Sequence, residues 1–346
     1  MKSCIRLFGG NLLQEKNMEL NCDEKNHRVS VVIPVYRGEI TLPILIEDIK
    51  PLTEISKTPD QRNFLISEVI LVHDCGPDRS DLVLTELEKS YHFVRPVWLS
   101  RNFGQHAATM AGMASAVGDW VVTIDEDGQQ DPKDIASLLD KAINDSLQLV
   151  YAQPLNPPPH SWLRNVLSKS AKIITTKLLG NSRVGKFNSF RLVDGEIART
   201  LAAYCGNGVY LDVGLFWIVN KVGHCPIRLK KELDRPSGYS YFKLFAHFWN
   251  LIITTGVRPL RLITQIGFSS ILLAGGIFCY ALYGKFFSNS PVQGWTSILI
   301  VVSFFSGAVL TSLGVIAEYL AVTMGIVMGK PLYVVVSKPT KPESSE

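Results

Sequence analysis

The chain has 346 residues, with 35 Lys and Arg against 31 Asp and Glu, a net charge of +4. So mild a surplus gives no basis for a nucleic-acid partner. The six cysteines (Cys4, Cys22, Cys75, Cys205, Cys225, Cys279) are scattered without a C-x-x-C pair, which argues against a disulfide framework or a zinc site and suits a reducing cytosolic face.

Residues 1–28 are mostly polar and contain no apolar core of signal-peptide length, so they read as a loose extension. A first strand passes through Val29, Val31, Val32 and Ile33 into Pro34-Val35-Tyr36-Arg37-Gly38-Glu39. Proline is expected to end the ladder there, and a helix over 41–53 follows. A second strand over 68–72 stops at His73-Asp74-Cys75-Gly76-Pro77-Asp78-Arg79-Ser80, ahead of a helix over 81–90. A third strand over 95–99 leads into Ser100-Arg101-Asn102-Phe103-Gly104, and a small-residue helix over 105–116 comes next.

Val121-Val122-Thr123-Ile124 then deliver Asp125-Glu126-Asp127-Gly128-Gln129 at a strand end. In an extended chain Asp125 and Asp127 share one face while Glu126 points away. Crowded carboxylates repel unless a cation sits between them, and a hard divalent ion, Mg²⁺ or Mn²⁺, is the usual answer. An isolated D-x-D reads as a solvated acidic turn. Here the strand–helix alternation predicts a mostly parallel sheet with helices on both faces. Tyr36, Asp74, Asn102 and Asp125 all fall at strand C-termini, where open α/β sheets bind ligands.

A helix over 132–144, a strand over 147–152 and a proline-rich loop over 154–159 follow. Residues 161–179 read as a basic amphipathic helix, lying either on a membrane surface or against the sheet. Arg164 and Ser168, four apart, share one of its faces. Asn188-Ser189-Phe190-Arg191-Leu192-Val193 offers Arg191 to a phosphate or to a surface salt bridge. Tyr210-Leu211-Asp212-Val213-Gly214 and a strand over 223–230 complete the domain. In Arg235-Pro236-Ser237-Gly238-Tyr239-Ser240 the Arg supplies a bidentate fork for phosphate and the Ser a hydroxyl.

Residues 241–261 combine aromatic and basic side chains, the mark of an interfacial helix. The run 262–284 has no charge and, at 1.5 Å per residue, spans about 34 Å, enough for a hydrocarbon core of about 30 Å. A second span is placed at 295–317, with apolar character continuing to 329 and Glu318 at a membrane boundary. Arginines before the first span, and Lys330, Lys338 and Lys341 after the second, put both ends in the cytoplasm. The expected organisation is an extension (1–28), a cytoplasmic domain (29–240), an interfacial helix (241–261), two membrane helices (262–329) and a tail (330–346).

The motifs Val31-Val32-Ile33-Pro34-Val35-Tyr36, His73 to Ser80, Leu99-Ser100-Arg101-Asn102-Phe103-Gly104 and Ile124-Asp125-Glu126-Asp127-Gly128-Gln129 occur in an order that resembles family 2 glycosyltransferases. The polyprenyl-phosphate branch, similar to dolichol-phosphate mannose synthase and bacterial undecaprenyl-phosphate sugar transferases, is the nearest, over 29–336. That resemblance implies a GT-A nucleotide-sugar fold. It implies a donor site at Pro34, Tyr36, Glu39, Asp74, Asn102, Gly104, Asp125 and Gln129, with the divalent ion on Asp125 and Asp127. It places the acceptor phosphate on Arg164, Ser168, Arg235 and Ser240, and the catalytic tasks on Asp127, Arg191 and Arg235. Three departures stand out: Cys75 and Gly76 replace the usual Gly and Ser, Gln153 stands near an expected arginine, and Tyr241 replaces a frequent lysine.

The implied reaction moves a sugar, UDP-glucose being the favoured donor, to a polyprenyl phosphate with inversion at a bacterial plasma membrane. The acceptor is already an oxyanion, so no strong base is required. A homo-oligomer is expected, with a downstream flippase or second glycosyltransferase as further partner. Two alternatives remain. One is a processive polysaccharide synthase, whose Gln-x-x-Arg-Trp motif has no counterpart in this chain; the other is an inactive membrane scaffold.

Overall fold

The strand that opens the fold, β1 (His27–Val35), is buried from Val29 to Val35, as only a strand covered on both faces can be. The computed structural model describes residues 25–156, 187–206, 209–230 and 294–338, together with Ser269, Gly276, Cys279 and Tyr283. The further strands are β2 (Ser56–Lys57), β3 (Asn63–His73), β4 (Val94–Leu99), β5 (Trp120–Thr123), β6 (Leu149–Pro154), β7 (Arg191–Asp194), β8 (Val222–Ile227) and β9 (Val335–Val336). They form one sheet in the order β8-β6-β7-β5-β1-β3-β4-β9, with β2 pairing β3. Its centre, β5-β1-β3-β4, is parallel. β7 runs antiparallel between β5 and β6.

The helices are α1 (Thr41–Ile49), α2 (Ser80–Ser90), α3 (Gln105–Ser115), α4 (Asp134–Asn144), α5 (Gly195–Tyr204), α6 (Leu211–Ile218) and α7 (Trp295–Val327). Apolar side chains of α1, α2 and α4 pack on one sheet face, including Leu45, Ile46, Leu84 and Leu138. Those of α3, α5 and α6 pack on the other, including Met110, Leu201 and Leu215. Each such buried side chain contributes about 1.5–3 kcal/mol. Small residues let α3 approach closely: a Cβ on Gly112 would lie 2.3 Å from Val32 Cγ1. The approach presses the N-terminus of α3 against the ends of β1 and β5.

The predicted GT-A-like α/β architecture with helices on both faces is present, and four details differ. β1 continues through Pro34 to Val35. Its ladder with β5 ends at Val32, so the proline sits beyond the last bond its missing N–H would disrupt on that side. β7 adds a strand where the sequence reading assigned no element. α7 is one helix of 33 residues, not a span ending at 317. Its stretch Phe304–Val327 is long and apolar enough to cross a membrane, the one such helix among the described residues, and Glu318 lies inside that stretch, not at its boundary. The first expected span (262–284), the interfacial helix (241–261) and the basic helix (161–179) lie outside the continuously described residues.

The fourth difference is β9. Past α7 the chain turns at Gly329 and returns to the sheet, pairing Val335 with Leu99 and Val336 with Trp98. Ser100 N–H donates to the Val334 carbonyl at 2.9 Å, and Lys338 Nζ donates to Thr85 Oγ1 at 2.7 Å. Leu332 and Tyr333 pack on the α3 side of the core. The tail therefore covers the β4 edge, which would otherwise expose unpaired backbone groups.

Candidate active site

Parallel strands β1, β3, β4 and β5 all end at one edge of the sheet, and antiparallel β7 begins there. The loops after the first four and the residues leading into β7 therefore converge. At this edge, between the ends of β1 and β5, the start of α3 and the approach to β7, lies a cavity of about 150 Å³ lined by, among others, Gln105, His106, Asp125, Ser189, Arg191 and Tyr210.

Asp125 is the most heavily engaged group. Gln105 Nε2 donates to its Oδ1 at 2.7 Å, Gln130 Nε2 donates to Oδ2 at 3.0 Å, and Ser189 Oγ donates to Oδ2 as well. Its backbone N–H donates to Gln130 Oε1 at 3.0 Å, so Gln130 clamps the residue twice. Burial pushes the Asp125 carboxyl above its usual range; the Ser189 hydrogen bond opposes this, and the charge of Asp127 adds to it. Asp127 Oδ1 accepts the Gln129 N–H at 3.0 Å, fixing the turn.

The two carboxylates fit a divalent ion. A carboxylate has about four acceptor positions, of which Asp125 uses three here. Among the described residues no cluster of three or more His, Cys, Asp or Glu is placed to hold a metal. A pair of carboxylates completed by substrate phosphates is the usual Mg²⁺ arrangement, in contrast to an all-protein cage.

Glu126, in the turn that follows β5, reaches the loop leaving β1. Its Oε2 accepts Tyr36 N–H at 3.0 Å and its Oε1 accepts Arg37 N–H at 2.9 Å. Asp74 does a similar task one loop over: buried, it accepts Phe103 N–H at 2.7 Å and Gly104 N–H at 2.9 Å. Burial raises its carboxyl above the usual range, and those two amides pull against the rise. Glu39 accepts Arg79 N–H at 3.2 Å, while its own N–H donates to Asp78. Three acidic residues thus lace the loops to one another.

The loop departure at Cys75 and Gly76 has a physical form. Cys75 takes φ +50° and donates Sγ–H to the Leu99 carbonyl at 3.1 Å. A Cβ on Gly76 would lie 1.6 Å from the Tyr36 carbonyl oxygen, so no side chain fits there. The glycine has moved one position, to where this loop cannot do without it.

Arg191 is neither at the surface nor in a surface salt bridge. It is 3% exposed and pairs with Asp212. Its Nε donates to Thr123 Oγ1 at 3.2 Å, and Tyr151 donates its hydroxyl to the same Asp212 oxygen at 2.8 Å. The Asp212 charge holds the guanidinium in its charged form against the cost of burial. This network forms part of the cavity wall.

Of the sequence-predicted residues, Pro34, Asp125 and Arg191 line the cavity. Tyr36, Glu39 and Asn102 are exposed on the surrounding loops, and Gly104 and Gln129 are half-buried. Arg164, Ser168, Arg235 and Ser240 lie outside the described residues. Sequence reasoning missed Gln105, Gln130, Ser189, His106, Tyr210 and Asp212. The His106 and Tyr210 rings sit 3.9 Å apart across the cavity wall. Ser189, Tyr210 and Asp212 each stood in a noted motif, but nothing local indicated that β7 runs antiparallel with Ser189 leading into it at this edge, or that the start of α6 brings Asp212 to Arg191.

The family profile described as glycosyl transferase family 2 matches residues 30–201. An undecaprenyl-phosphate 4-deoxy-4-formamido-L-arabinose transferase of Pectobacterium carotovorum is 30% identical over 90% of this chain and 93% of its own length. The protein so named in Proteus mirabilis is 28% identical over 93% of this chain and 99% of its own. Among solved structures, a mycobacterial protein superposes with a TM-score of 0.50 at 19% identity, covering 69% of this chain and 77% of that one, a likeness of fold alone.

Proposed function

The chain belongs to glycosyltransferase family 2, and from that premise we propose that it is a membrane-bound inverting enzyme that transfers a sugar from a nucleotide diphosphate sugar to the phosphate of a polyprenyl lipid such as undecaprenyl phosphate. The observation that carries the lipid acceptor is the course of the chain from α7 to β9. An apolar helix of membrane-crossing length is followed, after the turn at Gly329, by an edge strand of the catalytic sheet. It arrives at the edge where the loops converge, since Val334 holds Ser100 at the start of the loop after β4. That anchorage supports an acceptor carried in the membrane, such as a lipid phosphate.

The same connection supports a multi-pass topology with both flanks of the membrane region on one side, and the lysines after α7 favour the cytoplasm as that side. β8 and β9 belong to one sheet, so the chain between them crosses a bilayer an even number of times. With α7 as one crossing, an odd number falls before Gly294, and the charge-free run 262–284 supplies it.

In the proposed reaction, a lipid-phosphate oxygen attacks the anomeric carbon as the nucleoside diphosphate leaves from the opposite face. The attacking group is already anionic, so positioning and charge stabilisation carry the catalysis. Asp125 and Asp127 would hold a Mg²⁺ or Mn²⁺ ion, which when bound would supply positive charge to the leaving diphosphate. Gln105, Gln130 and Ser189 orient Asp125. Arg164, Ser168, Arg235 and Ser240 hold the acceptor phosphate, and Arg191 with Asp212 keeps the cavity wall rigid.

The test is incubation of membranes containing the protein with undecaprenyl phosphate and a panel of labelled donors, followed by identification of the lipid product. UDP-glucose comes first, alongside a donor of 4-deoxy-4-formamido-L-arabinose, the sugar named for the relatives. A sugar-labelled lipid monophosphate is expected. Donor binding with no product from any donor would favour the scaffold.

A further inference from the structure

We propose that Glu126, the middle residue of the acidic motif, is a positioning residue for the nucleoside end of the donor and not a metal ligand. The inference rests on the donor reading above.

The sheet register sets this up. β1 and β5 are parallel neighbours, Val32 facing Thr123, and Ile124 N–H still donates to the Val32 carbonyl at 3.0 Å. Just beyond, the two chains separate into adjacent loops. The chain turns at residues 126 and 127 after β5, and the Glu126 side chain reaches the loop leaving β1. There the successive N–H groups of Tyr36 and Arg37 converge on the Glu126 carboxylate at 2.9–3.1 Å. Consecutive amides pointing at one anion form an anion-holding concavity, here filled by the protein's own side chain.

The grip continues on either side. Gly38 N–H donates to Ser80 Oγ at 2.8 Å, and Gly76 sits tightly against the Tyr36 carbonyl. With its backbone held from behind, Tyr36 presents its ring outward, 42% exposed, with the Arg37 guanidinium 5.7 Å from the ring centroid. An open aromatic face beside a cation suits a planar base. Glu126 touches neither base nor diphosphate in this arrangement; it fixes the backbone from which the ring projects.

The experiment uses the full chain in detergent or membranes and compares Glu126→Ala and Glu126→Asp with wild type. Donor KM and kcat are measured, with equilibrium binding of UDP in Mn²⁺ and in EDTA and hydrogen exchange at residues 36 and 37. Losing a carboxylate that accepts two amides should raise donor KM about tenfold, with kcat changed by less than about twofold. UDP affinity should fall by a similar factor with and without metal. Exchange should quicken at 36 and 37 but not at 103 and 104, and Glu126→Asp should recover part of the loss.

A fall in UDP affinity confined to Mn²⁺ would overturn the proposal in favour of metal ligation. A fall in kcat at unchanged KM would overturn it in favour of general structural support. Wild type that binds no nucleoside diphosphate while the exchange result holds would instead defeat the donor reading, and the nucleoside role with it.

Discussion

The pair Arg191–Asp212 separates structural from catalytic charge, and Asp212→Ala probes it. The two side chains are 4% and 5% exposed, and Tyr151 donates to the same carboxylate. Removing Asp212 strands a buried guanidinium, which costs about 3–5 kcal/mol, and orphans the Tyr151 hydroxyl for about 1 kcal/mol more. Against a domain stability of about 5–15 kcal/mol that approaches unfolding. With about 2–4 °C lost per kcal/mol in a domain this size, the melting temperature should fall by roughly 8–24 °C. The double variant Arg191→Met/Asp212→Leu removes both charges and should regain most of that stability. Thermal melts in detergent, paired with transfer assays, read both effects. A loss below about 1 kcal/mol for Asp212→Ala would refute the reasoning, because no buried charge could then have been stranded. If the double variant recovers stability and still turns over, Arg191 serves the wall and not the reaction.

Asp127→Asn should abolish transfer while leaving the melting temperature unchanged; near wild-type turnover in chelator would remove the metal role. Gly76→Ala should collapse the donor loops, because its Cβ meets the Tyr36 carbonyl at 1.6 Å, whereas Cys75→Gly should relieve the positive φ and stabilise by about 0.5 kcal/mol; circular dichroism melts compare the two. Burial raises the folded Asp74 carboxyl above its ordinary 3.8, so its contribution is fully present below that value and is lost as pH rises through the folded one; Asp74→Asn should flatten that limb of the melting temperature against pH. Arg164→Ala should cut acceptor efficiency about tenfold or more with donor affinity intact, and titration of lipid phosphate at fixed donor measures it.

Local pattern was enough for much of this protein. The apolar residues of β1, β3, β4 and β5 and the helical spacing between them determine an α/β sheet, because side-chain period and burial are properties of a short window. The same pattern placed Tyr36, Asp74, Asn102 and Asp125 at one edge, and charge-free length marked an apolar span over 295–317, which the structure extends to Val327. The Asp125/Asp127 pair was legible because both carboxylates follow one apolar strand, although the chain turns at residues 126 and 127 and does not continue as extended strand.

What Glu126 meets there was not legible, for its partners are 89 and 90 positions away. Tertiary structure alone decided that Ser189 and Gln130 clamp Asp125, and that Arg191 is buried against Asp212. Both depend on β7 inserting antiparallel between β5 and β6, a choice of pairing that no local window contains. The return of residues 332–338 to the β4 edge is of the same kind. A two-residue strand has no periodicity to read, and its stability comes from an open sheet edge more than two hundred residues earlier in the chain.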